Sequence, residues 1–211
     1  MEIILIKLIM KINVLIFSIL LIGCNQVDPN KSIIPKTTEF PAGKETSQEK
    51  TVINLNNEIV KLLKDKNYQK LSAYIHPEKG IRFSMYSFVS DDDKNFSKSE
   101  FEKYIDSDEK FTFGHKDGSG AIYIVSIKDY LKDWVFKKDF SKSKINYENF
   151  EGKGNSLNNI KEKYPNSVTV ENYLVGTVEY SYMDWNSLIL VFEKIDNQYY
   201  LVSINNDQWT V

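Results

Sequence analysis

Few side chains in this sequence are suited to catalysis or specific binding. The chain has two histidines, His76 and His115, a single arginine, Arg82, and a single cysteine, Cys24. An imidazole titrates near neutrality and is the usual general acid or base. His76 stands directly before Pro77, where a helix must stop. That position suits a hydrogen-bonding residue at a helix terminus, with a place in a ligand pocket as the functional alternative. His115 lies in the glycine-bounded turn Gly114 to Gly120. Neither histidine has a partner at zinc-ligand spacing, so no structural zinc is expected. A guanidinium recognises carboxylate or phosphate at two points, which lysine does not reproduce. Arg82 is therefore either an anchor for an anionic ligand or one half of an internal ion pair.

Asp91, Asp93, Asn95, Ser97, Ser99 and Glu102 fall on the ligand spacing of calcium loops of the EF-hand type. Phe96 stands where such a loop needs glycine, and Lys98 where it needs an apolar residue. The expectation is an acidic stretch leading into a capped helix, with tight calcium binding absent. The glycines of 114–120 and of Gly152-Lys153-Gly154 lack the full spacing of a phosphate cradle, and no Gly-x-Ser-x-Gly turn occurs. No cofactor is expected. Trp185 and Trp209 flank the last apolar runs. They are expected to seal the end of a sheet by packing, with the mouth of an aromatic pocket as the alternative.

The elements that must position these residues are readable from spacing. Thr46 and Glu49 have capping-box spacing, and Val52, Leu55, Ile59, Leu62 and Leu63 recur at helical spacing. A second short helix is expected over 68–75. Residues 81–89 fit a strand or an irregular segment. Ser97 and Glu100 form a second capping box, and Ser126 can cap a helix through Tyr130 and Trp134. Asn155 or Ser156 can open a short helix before Pro165. Strand alternation recurs at 145–151, 168–171 and 178–182. Leu188 to Phe192 reads as a central strand covered on both faces, and Asp196-Asn197 turns the chain into a last strand over 199–204. Trp185 and Trp209 then lie at the same end of one hairpin. The prediction is an α+β domain from residue 48 to 211, with N-terminal helices on a curved antiparallel C-terminal sheet.

The composition fits a folded domain. Hydrophobic residues make up 42% and charged residues 27%, with a formal net charge of -2. Wholesale disorder is excluded, and a nucleic-acid binder would need a concentrated basic surface. The first residues differ from the rest. Ile12 to Gly23 is apolar apart from Asn13 and Ser18, too short to span a hydrocarbon core of about 30 Å comfortably. It ends in Leu21-Ile22-Gly23-Cys24, which resembles the lipobox of bacterial lipoproteins. The resemblance implies a signal peptide over 1–23, lipidation of Cys24 and a lipid anchor on the extracytoplasmic face of the cell membrane. Residues 24–47, with Pro29, Pro35, Pro41 and Gly43, then read as a flexible tether. Met10 followed by Lys11 would open a complete signal by itself, so Met10 competes with Met1 as the start.

The order of N-terminal helices, mixed middle and C-terminal strands is similar to the nuclear-transport-factor-2-like superfamily, which implies a cone-like domain with an interior pocket. His76-Pro77-Glu78-Lys79-Gly80, Gly152-Lys153-Gly154-Asn155, Met183-Asp184-Trp185 and Asp207-Gln208-Trp209-Thr210 resemble uncharacterised lipoproteins of low-GC Gram-positive bacteria. Neither resemblance assigns chemistry. The expected function is that of a non-catalytic module binding a ligand or partner of the cell envelope. A hydrolase or isomerase using His76 or a pocket acid is the first alternative, and a calcium-dependent module the second. A pocket holding a histidine beside a carboxylate would favour the enzyme, and a shallow surface with exposed aromatics would favour partner binding.

Overall fold

A computed structural model describes residues 46–152 and 156–209. The expected signal peptide, Cys24 and the expected tether before Thr46 lie outside the described residues, as do Lys153, Gly154, Asn155, Thr210 and Val211. The described chain is α+β. Helix α1 (Ser47–Lys64) opens on the expected capping box. The Thr46 hydroxyl accepts from Glu49 N–H and the Glu49 carboxylate accepts from Thr46 N–H. Its buried stripe is Val52, Asn56, Ile59, Val60 and Leu63, with Leu55 and Leu62 at the margin. The expected second helix is a 3₁₀ helix, Tyr68–Tyr74.

Eight strands follow. They are β1 (Ile81–Ser84), β2 (Lys94–Phe96), β3 (Phe111–His115), β4 (Ile122–Val125), β5 (Lys144–Tyr147), β6 (Val168–Leu174), β7 (Asn186–Ile195) and β8 (Gln198–Gln208). Six form one sheet in the order β2-β1-β8-β7-β6-β5, while β3 and β4 form a separate hairpin. The C-terminal strands are antiparallel, as expected, and the sheet is mixed because a strand from earlier in the chain joins it. Strands β5 to β8 are antiparallel neighbours, but β1 joins β8 in parallel, with Arg82 beside Ser203 and Phe83 beside Ile204. The 3₁₀ helix and the turn at His76 bring the chain back to the β8 edge, where His76 N–H donates to Leu201 O at 3.0 Å. Helix α2 (Lys98–Tyr104) carries the second capping box, Ser97 with Glu100. Ser126 caps α3 (Ile127–Tyr130), which continues as a π turn over Leu131–Val135. The short α4 (Ile160–Lys163) follows Asn159.

The sheet has two unlike buried faces. One carries Phe83, Val170, Leu188, Leu190, Phe192, Leu201 and Ile204 in the main core, with Val52, Ile59 and Leu63 of α1. The single polar insertion into that helix contact is Asn56, whose amide exchanges hydrogen bonds of 2.9 and 2.8 Å with Asn172 of β6. The opposite face has a small apolar cluster of Ile189, Val191, Val202, Val89 and Ile160. Beside it Thr169, Glu171, Ser187, Ser203, Asn205 and Asp207 are all buried.

Residues 178–182 are not a strand. The chain leaves the sheet after Leu174 and returns at Asn186, with a 3₁₀ turn over Val178–Tyr180. Ser181 and Tyr182 follow at φ of 51° and 63°, a left-handed region unsuited to a strand.

Candidate functional site

The sequence-derived candidates do not converge. His76 is buried, and its Nδ1 accepts the backbone N–H of Glu78 at 3.2 Å and of Lys79 at 3.0 Å. That fixes the tautomer with Nε2 protonated, 4.0 Å from Glu193 Oε2. Burial lowers the His76 pKa, against the opposing pull of Glu193. Lys79 pairs with Glu193. The imidazole is thereby the internal brace of the turn ending at Gly80. Among the described residues Arg82 makes no ion pair with an acid. Its Nη1 donates to the carbonyls of Ser90, Asp91 and Asp93, holding the loop between β1 and β2. His115 ends β3 on the exposed face of the hairpin.

The Asp91 series is divided among the loop that holds Asp91 and Asp93, the strand Lys94–Phe96 and the helix Lys98–Tyr104 with its cap Ser97. Asp91 pairs with Lys163 at 2.7 Å. Asp93 turns inward to Ser84 Oγ and Ser90 N–H, and burial raises its pKa. Asn95 donates to Lys79 O, and Ser97 caps α2. Glu102 lies exposed on α2. Among the described residues no group of three or more acids, histidines or cysteines is placed to hold a metal ion.

Trp185 and Trp209 do share one end of the sheet, because Asn186 and Gln208 are paired neighbours. Their environments differ. Trp185 is buried against Tyr173, and its Nε1 has no hydrogen-bond partner among the described residues. Trp209 is 41% exposed, which corrects the expectation that it packs like a core residue.

Around these two residues the structure assembles a pole that the sequence did not reveal. Its floor is acidic. Glu171 accepts from Asn146 Nδ2 at 2.8 Å, Glu151 N–H at 2.7 Å and Ser187 Oγ at 2.6 Å. Asp207 has its pKa raised by burial, against hydrogen bonds from Ser156, Gln208 N–H and Ser87. Gly152 lies close above this floor. A Cβ on it would stand 2.9 Å from Asp207 Oδ2 and 3.6 Å from Trp185, so glycine is required by close approach. Gly152, Trp185 and Asp207, far apart in sequence, thus meet here.

The rim of the pole is apolar. Val175, Val178, Tyr180, Tyr182 and Met183 are 47–76% exposed, on the loop that leaves the sheet at the end where Trp209 follows β8. Their loop is internally fastened. Thr177 N–H donates to Asp184 Oδ1 at 2.6 Å, Tyr182 N–H to Thr177 O at 2.7 Å and Met183 N–H to Tyr180 O at 2.9 Å. The Thr177 N–H bond lowers the Asp184 pKa, and Lys138 Nζ ties the loop down through Asp184 O at 2.7 Å. Gly176 is needed because a Cβ would lie 2.4 Å from Tyr182 O. The loop's exposed side chains include these apolar groups together with Thr177, Glu179 and Ser181, while Asp184 is half-buried.

Two carboxyls in unlike surroundings are the raw material of acid–base catalysis. Here Glu171 has three donors, and both acids are buried. The clefts elsewhere are open. One of about 300 Å³ lies between α1 and Phe140–Ser143, and one of about 530 Å³ between α1, Tyr74 and Tyr199. His76, Glu171 and Asp207 line neither of them.

Comparison with known proteins adds little. No protein-family model matches the chain, and no curated protein matches it. Among solved structures, a DUF4783 family protein from Bacteroides ovatus is similar at 16% identity and a TM-score of 0.29, over 71% of this chain and 91% of that one. A likeness of that degree transfers neither fold nor function to this chain.

Proposed function

We propose that this chain is an extracytoplasmic lipoprotein, anchored through Cys24, whose domain is a non-catalytic binding module for a partner of the cell envelope. The anchor rests on the lipobox. The binding role rests on one observation: a loop whose own hydrogen bonds hold it in shape exposes Val175, Val178, Tyr180, Tyr182 and Met183 at the end of the sheet where Trp209 is also exposed. Grouped apolar exposure of this kind marks an interaction site, and tyrosine, tryptophan and methionine are the residues enriched at interface centres. A preformed loop also reduces the ordering cost of association.

Mass spectrometry of the membrane fraction tests the anchor. The expected species begins at Cys24 and carries acyl chains; an unmodified thiol there contradicts it. A photo-crosslinking residue in place of Tyr182 tests the pole in living cells. It should give discrete adducts that the same probe at the exposed Leu157 does not give; equal labelling at the two positions contradicts the pole.

A further inference from the structure

The turn that joins the 3₁₀ helix to β1 hangs on one residue. Pro77 has no N–H, so the donors of the turn are the amides of Glu78, Lys79 and Gly80. All three end on His76. Its Nδ1 accepts from Glu78 at 3.2 Å and from Lys79 at 3.0 Å, and its carbonyl accepts from Gly80 at 3.0 Å. The same residue holds β8 through Leu201 O, and Lys79 O accepts from Asn95 of β2. His76 is 3% exposed, so solvent does not replace these bonds. Nδ1 serves two donors only while it carries no proton. A proton there faces two N–H groups and removes both bonds. The charged ring has another partner within reach. Nε2 stands 4.0 Å from Glu193 Oε2, and that buried carboxylate is paired with Lys79.

We propose that the turn His76–Gly80 is a pH-operated latch: the neutral imidazole holds it closed on β8, and the imidazolium opens it by exchanging the two turn amides for the Glu193 carboxylate. Opening releases the Lys79 ammonium to solvent. It stays local, because Ile75 and Ile81 on either side are fully buried and β1 is paired to both β2 and β8. The groups facing the ring are Glu193 from β7, Glu78 and Lys79 from the turn, and the edge-on ring of Tyr200 from β8. Burial is the largest influence and disfavours the charged ring; Glu193 opposes it, Lys79 adds to it and Glu78 opposes it. The pKa of the closed state is therefore lowered. The closed turn is fully favoured above the value of a free imidazole, about 6.5, and is lost as pH falls through the lower value of the closed state.

The test is amide hydrogen exchange on the full chain, extracted from membranes in detergent, with the His76 ring followed by NMR over the same pH series. His115→Gln in the background leaves a single imidazole to follow. Protection of the Glu78 and Lys79 amides, corrected for intrinsic exchange, should fall by about tenfold per pH unit below about pH 6.5. The amides of Leu188 and Leu190 in β7 should stay protected. His76→Asn offers an oxygen that accepts turn amides and does not titrate, so its turn should stay protected throughout. Glu193→Gln removes the charge that draws the imidazolium and should move the transition to lower pH. Turn amides that keep their protection while the ring titrates, a transition that persists in His76→Asn or is unmoved by Glu193→Gln, or a loss shared by the β7 amides overturns the proposal.

Discussion

At one end of the central sheet the usual distribution of polarity is inverted. Glu171, Ser187 and Asp207 are buried, while Tyr180, Tyr182 and Met183 stand in solvent. The helix-covered face follows the usual rule, with Leu188, Leu190, Phe192 and Ile204 packed against Val52, Ile59 and Leu63. The helix face is held by apolar burial, at about 25 cal/mol per Å², and tolerates imprecise partners. The polar face is held by directed hydrogen bonds, each adding only about 1 kcal/mol net, yet costing several times that if one partner is lost. A face built that way fixes geometry more than it adds stability. It is fitting that the fastened aromatic loop projects from its edge.

This contrast can be broken by substitution. The largest effect is expected from Trp185→Ala, which empties the wall between the acidic floor and the rim. A buried aromatic lost this way costs about 3–5 kcal/mol, measured by chemical unfolding. Glu171→Ala comes next. It strands Asn146, Ser187 and the Glu151 N–H without an acceptor, for an expected loss of about 2–4 kcal/mol. Glu171→Gln keeps one acceptor and should lose less than half as much. If Glu171→Ala proves neutral, the polar face is not organised by that carboxylate. Trp209→Ala should cost roughly 2 kcal/mol or less, because its ring is only partly buried.

The smallest expected effect is a pH dependence at Asp207. Burial raises its pKa in the folded state, so the fold favours the neutral acid. The stability this group contributes is present below its unfolded pKa and is lost as pH rises through the raised folded value. Asp207→Asn should therefore compare best with wild type near neutral pH, and lose that relative advantage as the solution is acidified. Unfolding curves of both proteins at several pH values check the sign; a difference independent of pH contradicts the buried, neutral-preferring acid.

The legible parts of the molecule were those set by local chemistry. Thr46 with Glu49 and Ser97 with Glu100 announced two helix starts, because a capping box is complete within four residues. The turn at Asp196-Asn197 and the doubly covered β7 were equally plain. The misread segment was 178–182, whose alternation matches that of a strand. What prevents a strand is tertiary: the tight approach of Gly176 to Tyr182 and the clamp of Asp184 on Thr177. The floor was hidden for a related reason. Glu171 and Asp207 look like solvent-side strand residues until the chain at Glu151–Gly152 is laid over them. Asn56 was likewise missed within an apolar stripe because its partner, Asn172, lies 116 residues away. A polar residue inside an otherwise apolar helical stripe is the one sequence signal that could have pointed to it.

The central claim is that the apolar side chains of the rim serve a partner and not the fold. Thermal and chemical unfolding of Val178→Ser/Tyr180→Ser/Tyr182→Ser beside the wild type tests this most directly. The hydrogen bonds of the loop run through backbone groups and Asp184, so the variant should unfold within about 1 kcal/mol of wild type, as surface substitutions do. A loss of several kcal/mol, on the scale of a core truncation, would show that these side chains hold the domain together and would contradict the claim.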